Sequence, residues 1–199
     1  MVHRSRAGGV KGRKPFDPTA WYIAVVKGHN ELICRRMLND LSRVPYKVEA
    51  FVASQQEHKY YSNRTRRIVE HIIIPGRVFI RVEPEYRQDV LKNCLLLSRY
   101  MMDPSSSLTE SGHRAFARVP DWEIQRLHEI LQLADSIVEY SETPPKSGDR
   151  IQVLSGRFHS LKGTVFKDAE GHKYATVILD QLGCFKFRLP LTDIGKIKE

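Results

Sequence analysis

The stretch KYYSNRTRR, residues 59–67, interleaves four cations with two aromatic rings. Lys59, Arg64, Arg66 and Arg67 are residue types that contact phosphate, and Tyr60 and Tyr61 can stack on unpaired bases. Each stacked base is worth roughly 1–3 kcal/mol. The same composition also suits a solvated hairpin tip. A second stretch, SGRFHSLKGTV at 155–165, sets Phe158 and Leu161 between Gly156 and Gly163, residues that mark a turn and a close crossing. An apolar pair in such a loop either plugs a small core or faces a partner. Covalent and acid–base chemistry has no comparable pattern. The eight histidines, at 3, 29, 58, 71, 113, 128, 159 and 172, form no HExxH, and GxSxG, P-loop and GxGxxG motifs are absent. His113 reads as a loop residue and His128 as a helix-face residue. Cys34, Cys94 and Cys184 lie far apart in the sequence and are odd in number. They support neither a disulfide framework nor a zinc site. The expectation is a binding protein with no cofactor, not an enzyme, working in the reducing cytoplasm.

The distribution of charge narrows the partner class. Net charge is +9 over 199 residues, and the excess sits at the two ends. Residues 1–18 carry +4, residues 19–142 only +1, and residues 147–199 carry +3. A basic chain with a basic arm suits nucleic acid or a ribonucleoprotein, although a soluble protein with a charged tail has the same composition. No run approaches the roughly 18–20 apolar residues of a membrane span, and no apolar segment follows the basic start as in a secretory signal.

The elements that must position these residues follow from periodicity. Residues 1–18 read as a mobile arm. WYIAVV (21–26) reads as a buried strand. HNELICRRMLNDL (29–41) reads as a helix capped by Asn30, with Ile33, Met37 and Leu41 on one stripe beside Cys34 and Leu38. YKVEAFVA (46–53) alternates as a strand, and 54–67 is a polar hairpin or loop tip. IVEHIII (68–74) and RVFIRV (77–82) are strands broken at Pro75-Gly76. A short helix (84–94), a short strand (95–103) and a Ser-rich loop follow. PDWEIQRLHEILQLAD (120–135) is a helix with Asp121 as N-cap and Ile124, Leu127 and Leu131 on one face. YSETPPKSGD (140–149) is the best linker. Beyond it come short strands at 150–154, 163–166, 173–180 and 184–189, with a turn at 168–171, which together predict a small barrel. The fold class is therefore α+β: an N-terminal antiparallel sheet with flanking helices (19–140), a linker (141–147) and a small all-β barrel (148–199).

In that barrel Ile151, Val153, Val165, Val177 and Leu179 supply the core. Phe158 is then an extra aromatic at the rim, either capping the barrel bottom or anchoring a partner. The run GDRIQVLSGRFHSLKGTV (148–165) resembles a KOW motif, which occurs in NusG-type elongation factors and in some large-subunit ribosomal proteins. The strand with Trp21-Tyr22, the amphipathic helix after it, the Pro75-Gly76 break before RVFIRV, and the VPDWEIQRL helix before a linker resemble the NusG N-terminal (NGN) domain. The resemblance covers roughly residues 19–199, and its finer details are similar to the specialised paralogues of long polysaccharide operons (UpxY-like). In the housekeeping members an aromatic usually precedes the Pro-Gly and another follows it, whereas here those places hold Ile74 and Arg77.

The resemblance implies a transcription elongation or antitermination factor whose NGN-like domain binds the clamp helices of RNA polymerase and can touch non-template DNA. By position, Trp21, Tyr22, Ile74, Pro75, Gly76 and Arg77 would lie near the polymerase-binding surface. Trp21 and Ile74 are also natural core residues, and Arg77 is the better contact candidate. The KOW (SH3-like) domain would recruit a small-subunit ribosomal protein or Rho through Arg157, Phe158, His159 and Leu161. A barrel rich in β-branched and aromatic strands is expected to stay a barrel rather than refold as helices. The protein would be a monomer without a membrane partner. A KOW-containing ribosomal or other RNA-binding protein is the alternative, against which the near-neutral middle counts.

Overall fold

A computed structural model describes residues 18–41, 44–60, 65–110, 112–134, 136–143, 149–153, 162–167, 173–188 and 194–196. The fold is α+β with antiparallel sheets, as the periodicities imply. Strand β1 (Ala20–Val26) is the centre of the first sheet. It pairs along one edge with β5 (Arg77–Val82) and along the other with β6 (Leu97–Tyr100) and β7 (Arg118–Val119). The short β2 (Glu49–Phe51) lies outside β5. Because side chains alternate along a strand, β1 feeds two cores. Tyr22, Ala24 and Val26 join one buried cluster with Cys34, Leu38, Val78, Ile80, Val90 and Cys94. Trp21 and Ile23 join the other with Phe79, Ile124, Leu127 and Ile130. Burial on both faces explains why WYIAVV is apolar without interruption.

The helices partly revise the expected faces. Helix α1 (Glu31–Asn39) buries Glu31, Cys34 and Leu38, whereas Ile33 and Met37 are 48% and 42% exposed. The four-residue stripe was real, but the sheet meets the helix one position, about 100°, further round. Asn30 occupies the N-cap position without capping; its side-chain amide donates to the Lys27 carbonyl instead, at 2.9 Å. A 3-10 turn (Pro84–Tyr86) leads into α2 (Arg87–Asn93). Helix α3 (Asp121–Leu133) begins one residue earlier than expected. Pro120 is its N-cap, and Asp121 is the first helical residue, where a carboxylate favours the helix dipole and lies 3.6 Å from Arg81. Ile124, Leu127 and Leu131 are buried as expected.

The polar stretch after β2 is a two-stranded ribbon, β3 (Ser54–Tyr60) against β4 (Arg66–Ile72). An isolated hairpin is marginal in water, and this one is tied down at its base. Glu70 receives two hydrogen bonds from Arg35 (2.7 and 3.1 Å) and one from Ser54 (2.6 Å). Buried Gln55 donates to the Leu131 carbonyl and accepts from the Val138 amide, at 2.9 and 2.7 Å.

The C-terminal sheet contains the four expected strands, β9 (Asp149–Val153), β10 (Lys162–Lys167), β11 (Lys173–Leu179) and β12 (Gly183–Arg188), as a meander. Two further strands extend it: β13 (Ile194–Lys196) beside β9, and β8 (Glu139–Ser141) beside β12. Among the described residues the pairing is an open path, β13-β9-β10-β11-β12-β8. Residues 139–141, assigned from sequence to the end of the first domain and the start of the linker, thus form an edge strand of the second sheet. The expected turn at 168–171 lies outside the described residues.

Candidate partner-binding surfaces

The two sheets share a core. Val177, Leu179, Leu182, Phe185 and Phe187 belong to the same buried cluster as Trp21, Ile74, Phe79 and the inner face of α3. Burying each such side chain contributes roughly 1.5–3 kcal/mol. Polar contacts flank this apolar seam. Glu123, 1% exposed, accepts the backbone N–H of Gln181 from the β11–β12 turn, at 3.1 and 3.4 Å. Burial pushes its carboxyl above the usual carboxylate range, and Asp180 adds to this while the Gln181 bond opposes it. The signal for Glu123 was present in the sequence, as a carboxylate four residues before Leu127 on the apolar face of α3.

The turn at Pro75–Gly76 is fixed from below. The Gly76 N–H donates to buried Glu31 at 2.6 Å, and Gly76 sits at φ +75°, a region glycine enters without strain. Arg77 leaves the turn toward β8. Its guanidinium donates to the Tyr140 hydroxyl at 2.8 Å, pairs with Glu142, and lies 6.0 Å from the Tyr140 ring centroid. Tyr140 in turn packs on Phe185, with centroids 5.6 Å apart. Burial pushes the Tyr140 hydroxyl pKa up, against the opposing pull of Arg77.

The six residues expected at a polymerase surface are therefore not one exposed patch. Trp21 and Ile74 are 5% and 1% exposed in the shared core, and Tyr22 is fully buried on the opposite face of the sheet. Pro75 is exposed, and Gly76 and Arg77 are half-buried beside β8. In the ribbon, Lys59 stands opposite Arg67 and Tyr60 opposite Arg66, so these cations gather toward the outer end. Arg66 donates to His58 at 3.2 Å, and Lys59 lies 3.5 Å from Glu57. Tyr61 and Arg64 lie outside the described residues, as do Arg157, Phe158, His159 and Leu161.

Cysteines far apart in sequence meet in space. The Cys34 and Cys94 sulfurs are 3.9 Å apart, buried, as free thiols. Among the described residues, no group of three or more His, Cys, Asp or Glu could hold a metal ion. Among those residues, too, no helix is long and apolar enough to cross a membrane.

No protein-family model matches the chain. No curated protein matches it either. Among solved structures, the fold is similar to the one describing domain interaction in Thermotoga maritima NusG: TM-score 0.54, 16% identity, covering 90% of this chain and 98% of that one. A weaker likeness, TM-score 0.31 at 11% identity, is to the MjSpt4:Spt5 complex, covering 90% of this chain and 97% of that chain.

Proposed function

We propose that this chain is a bacterial NusG-like transcription elongation or antitermination factor, an operon-specific paralogue that suppresses pausing or termination. Its first module binds RNA polymerase at the clamp helices, with the β3–β4 ribbon available to non-template DNA. Its second module recruits a small-subunit ribosomal protein or Rho through Arg157, Phe158, His159 and Leu161. The observation that carries this reading is the likeness to the T. maritima NusG structure, which covers 90% of this chain and 98% of that one. The KOW-like run at 148–165 and the Pro75-Gly76 break support it independently. The shared core adds a regulatory element: Trp21 and Ile74 are withheld while the C-terminal sheet packs on them, and Arg77 is held by Tyr140 and Glu142. The packed form is then a resting state that opens on recruitment.

The test is co-migration with bacterial RNA polymerase core on a sizing column. The wild type should co-migrate. Glu142→Gln releases one partner of Arg77 and should bind more tightly, and Arg77→Glu should lose binding with its circular dichroism unchanged. Failure of all three proteins to bind, together with sedimentation on ribosomal subunits in high salt, would replace this reading with the ribosomal one.

A further inference from the structure

Away from the ribbon and the Pro75–Gly76 turn, three arginines from separate parts of the sequence line one open cavity of about 560 Å³. Arg87 comes from the start of α2, Arg118 from β7, and Arg114 from the segment before it. Asp103, Thr109, His113 and Gln181 complete the polar lining, so the cavity borders both modules.

The arginines are held in different ways. Arg114 donates to the carbonyls of Pro104 and Ser106, at 2.5 and 2.7 Å, and shapes the loop. The Arg87 guanidinium lies 4.3 Å from the Phe116 ring centroid and 4.9 Å from that of Tyr22. Arg118 lies 5.8 Å from the same Tyr22 ring. Two like charges thus share one buried ring, and neither pairs with a carboxylate among the described residues. The one acidic side chain in the lining, Asp103, is occupied by the Ser105 amide and hydroxyl at 2.8 and 2.6 Å, which hold its carboxyl below the usual range. With three arginines against one aspartate, the charged lining keeps a net excess of two positive charges.

Like charges held close without a counter-ion repel, and an anion between them would relieve that repulsion. Stacking on aromatic rings occupies the flat faces of a guanidinium and leaves its N–H edge to bind oxygen anions. A carboxylate is planar and satisfied by one arginine fork, whereas a phosphate presents oxygens in several directions and suits arginines converging from separate elements. We infer that the Arg87–Arg114–Arg118 cavity is a binding site for the phosphodiester backbone of a single nucleic-acid strand, separate from the β3–β4 ribbon.

Fluorescence anisotropy with labelled oligo-dT and oligo-U tests this, over a salt series, on the full chain. Arg87→Gln/Arg118→Gln should weaken binding at least about tenfold and flatten the slope of log K against log salt by about 1.4, the loss of two single-strand phosphate contacts. The arm that loses more identifies the strand as DNA or RNA. Arg118→Gln alone, at an exposed position, should give about half the slope change and guards against loss of folding in the double variant. Arg66→Gln/Arg67→Gln in the ribbon should add to the effect rather than replace it. Unchanged affinity and slope in folded Arg118→Gln would overturn the inference. So would the absence of oligonucleotide binding by the wild type in low salt, or equal competition by a poly-glutamate peptide of matched charge. Polymerase binding is read in a separate assay, so either proposal can fail alone.

Discussion

Glu123 links two levels of the molecule through one carboxylate. Its folded pKa lies above the ordinary 4.5, so the folded state holds its proton more tightly than the unfolded chain does. The stability this contributes is fully present below pH 4.5 and is lost as pH rises through the raised value. Glu70 has the opposite sign: its pKa is lowered, chiefly by the Arg35 hydrogen bond, so its contribution is present above pH 4.5 and lost as pH falls through the lowered value. Glu123→Gln keeps an acceptor for Gln181 and removes the first dependence. Denaturant midpoints measured from pH 4.5 upward should decline for the wild type and stay flatter for the variant; parallel curves would refute the assignment. The thiols give a second residue-level expectation. Cys34 is pushed up to about 12, first by burial and then by Cys94, and only thiolates alkylate readily. Iodoacetamide at pH 8 should leave Cys34 unmodified in the folded protein and label it after denaturation. The sequence spacing of 34 and 94 gave no hint of this pair, because contact between α1 and the end of α2 depends on both packing on one sheet face.

The ribbon is the element whose attachment matters most. Gln55 is 8% exposed and joins β3 to the end of α3 and to Val138 through two hydrogen bonds. Gln55→Ala leaves a buried carbonyl and a buried amide without partners, at about 1–3 kcal/mol each. The expected result is a lower midpoint in urea with hydrogen exchange accelerated first along 54–60; an unchanged midpoint would mean that water replaces the side chain. Element identity was legible where periodicity was strong: β1, α3 and the C-terminal strands follow directly from their apolar patterns. Polarity left the ribbon open between a hairpin and a loop tip, since most of its side chains face solvent and Ile68, 61% exposed, stands opposite His58. The inward face of α1 was misplaced because four-residue spacing drifts round a helix, and only the sheet decides which neighbour faces inward. The arginine cavity left no local trace, since residues 87, 114 and 118 converge only through tertiary folding.

Across the whole molecule, one cluster ties the first sheet, α3 and the second sheet together. Unfolding should therefore be a single transition, with tryptophan fluorescence and far-ultraviolet dichroism coincident. Phe185→Ala, at a fully buried position of that cluster, should lower the stability of both parts together by about 3–5 kcal/mol; two separate transitions, only one of them shifted, would show independent modules. The α+β class with its antiparallel sheets was readable from the periodicities of the strands and helices. The mutual packing was not, because each contributing strand looked sufficient for its own core. Strand β8 also changes how far apart the two parts can work. Val138 is held by Gln55, while Glu139 is already paired with Lys186 of the second sheet. With β8 zipped, the two parts stay packed on one shared core. Were the strand to peel from β12, residues 139–148 would become spacer, spanning at most about 33–36 Å when fully stretched. Three residue pairs would thus act as a ratchet on working distance, letting one chain serve first as a clasp and then as a leash.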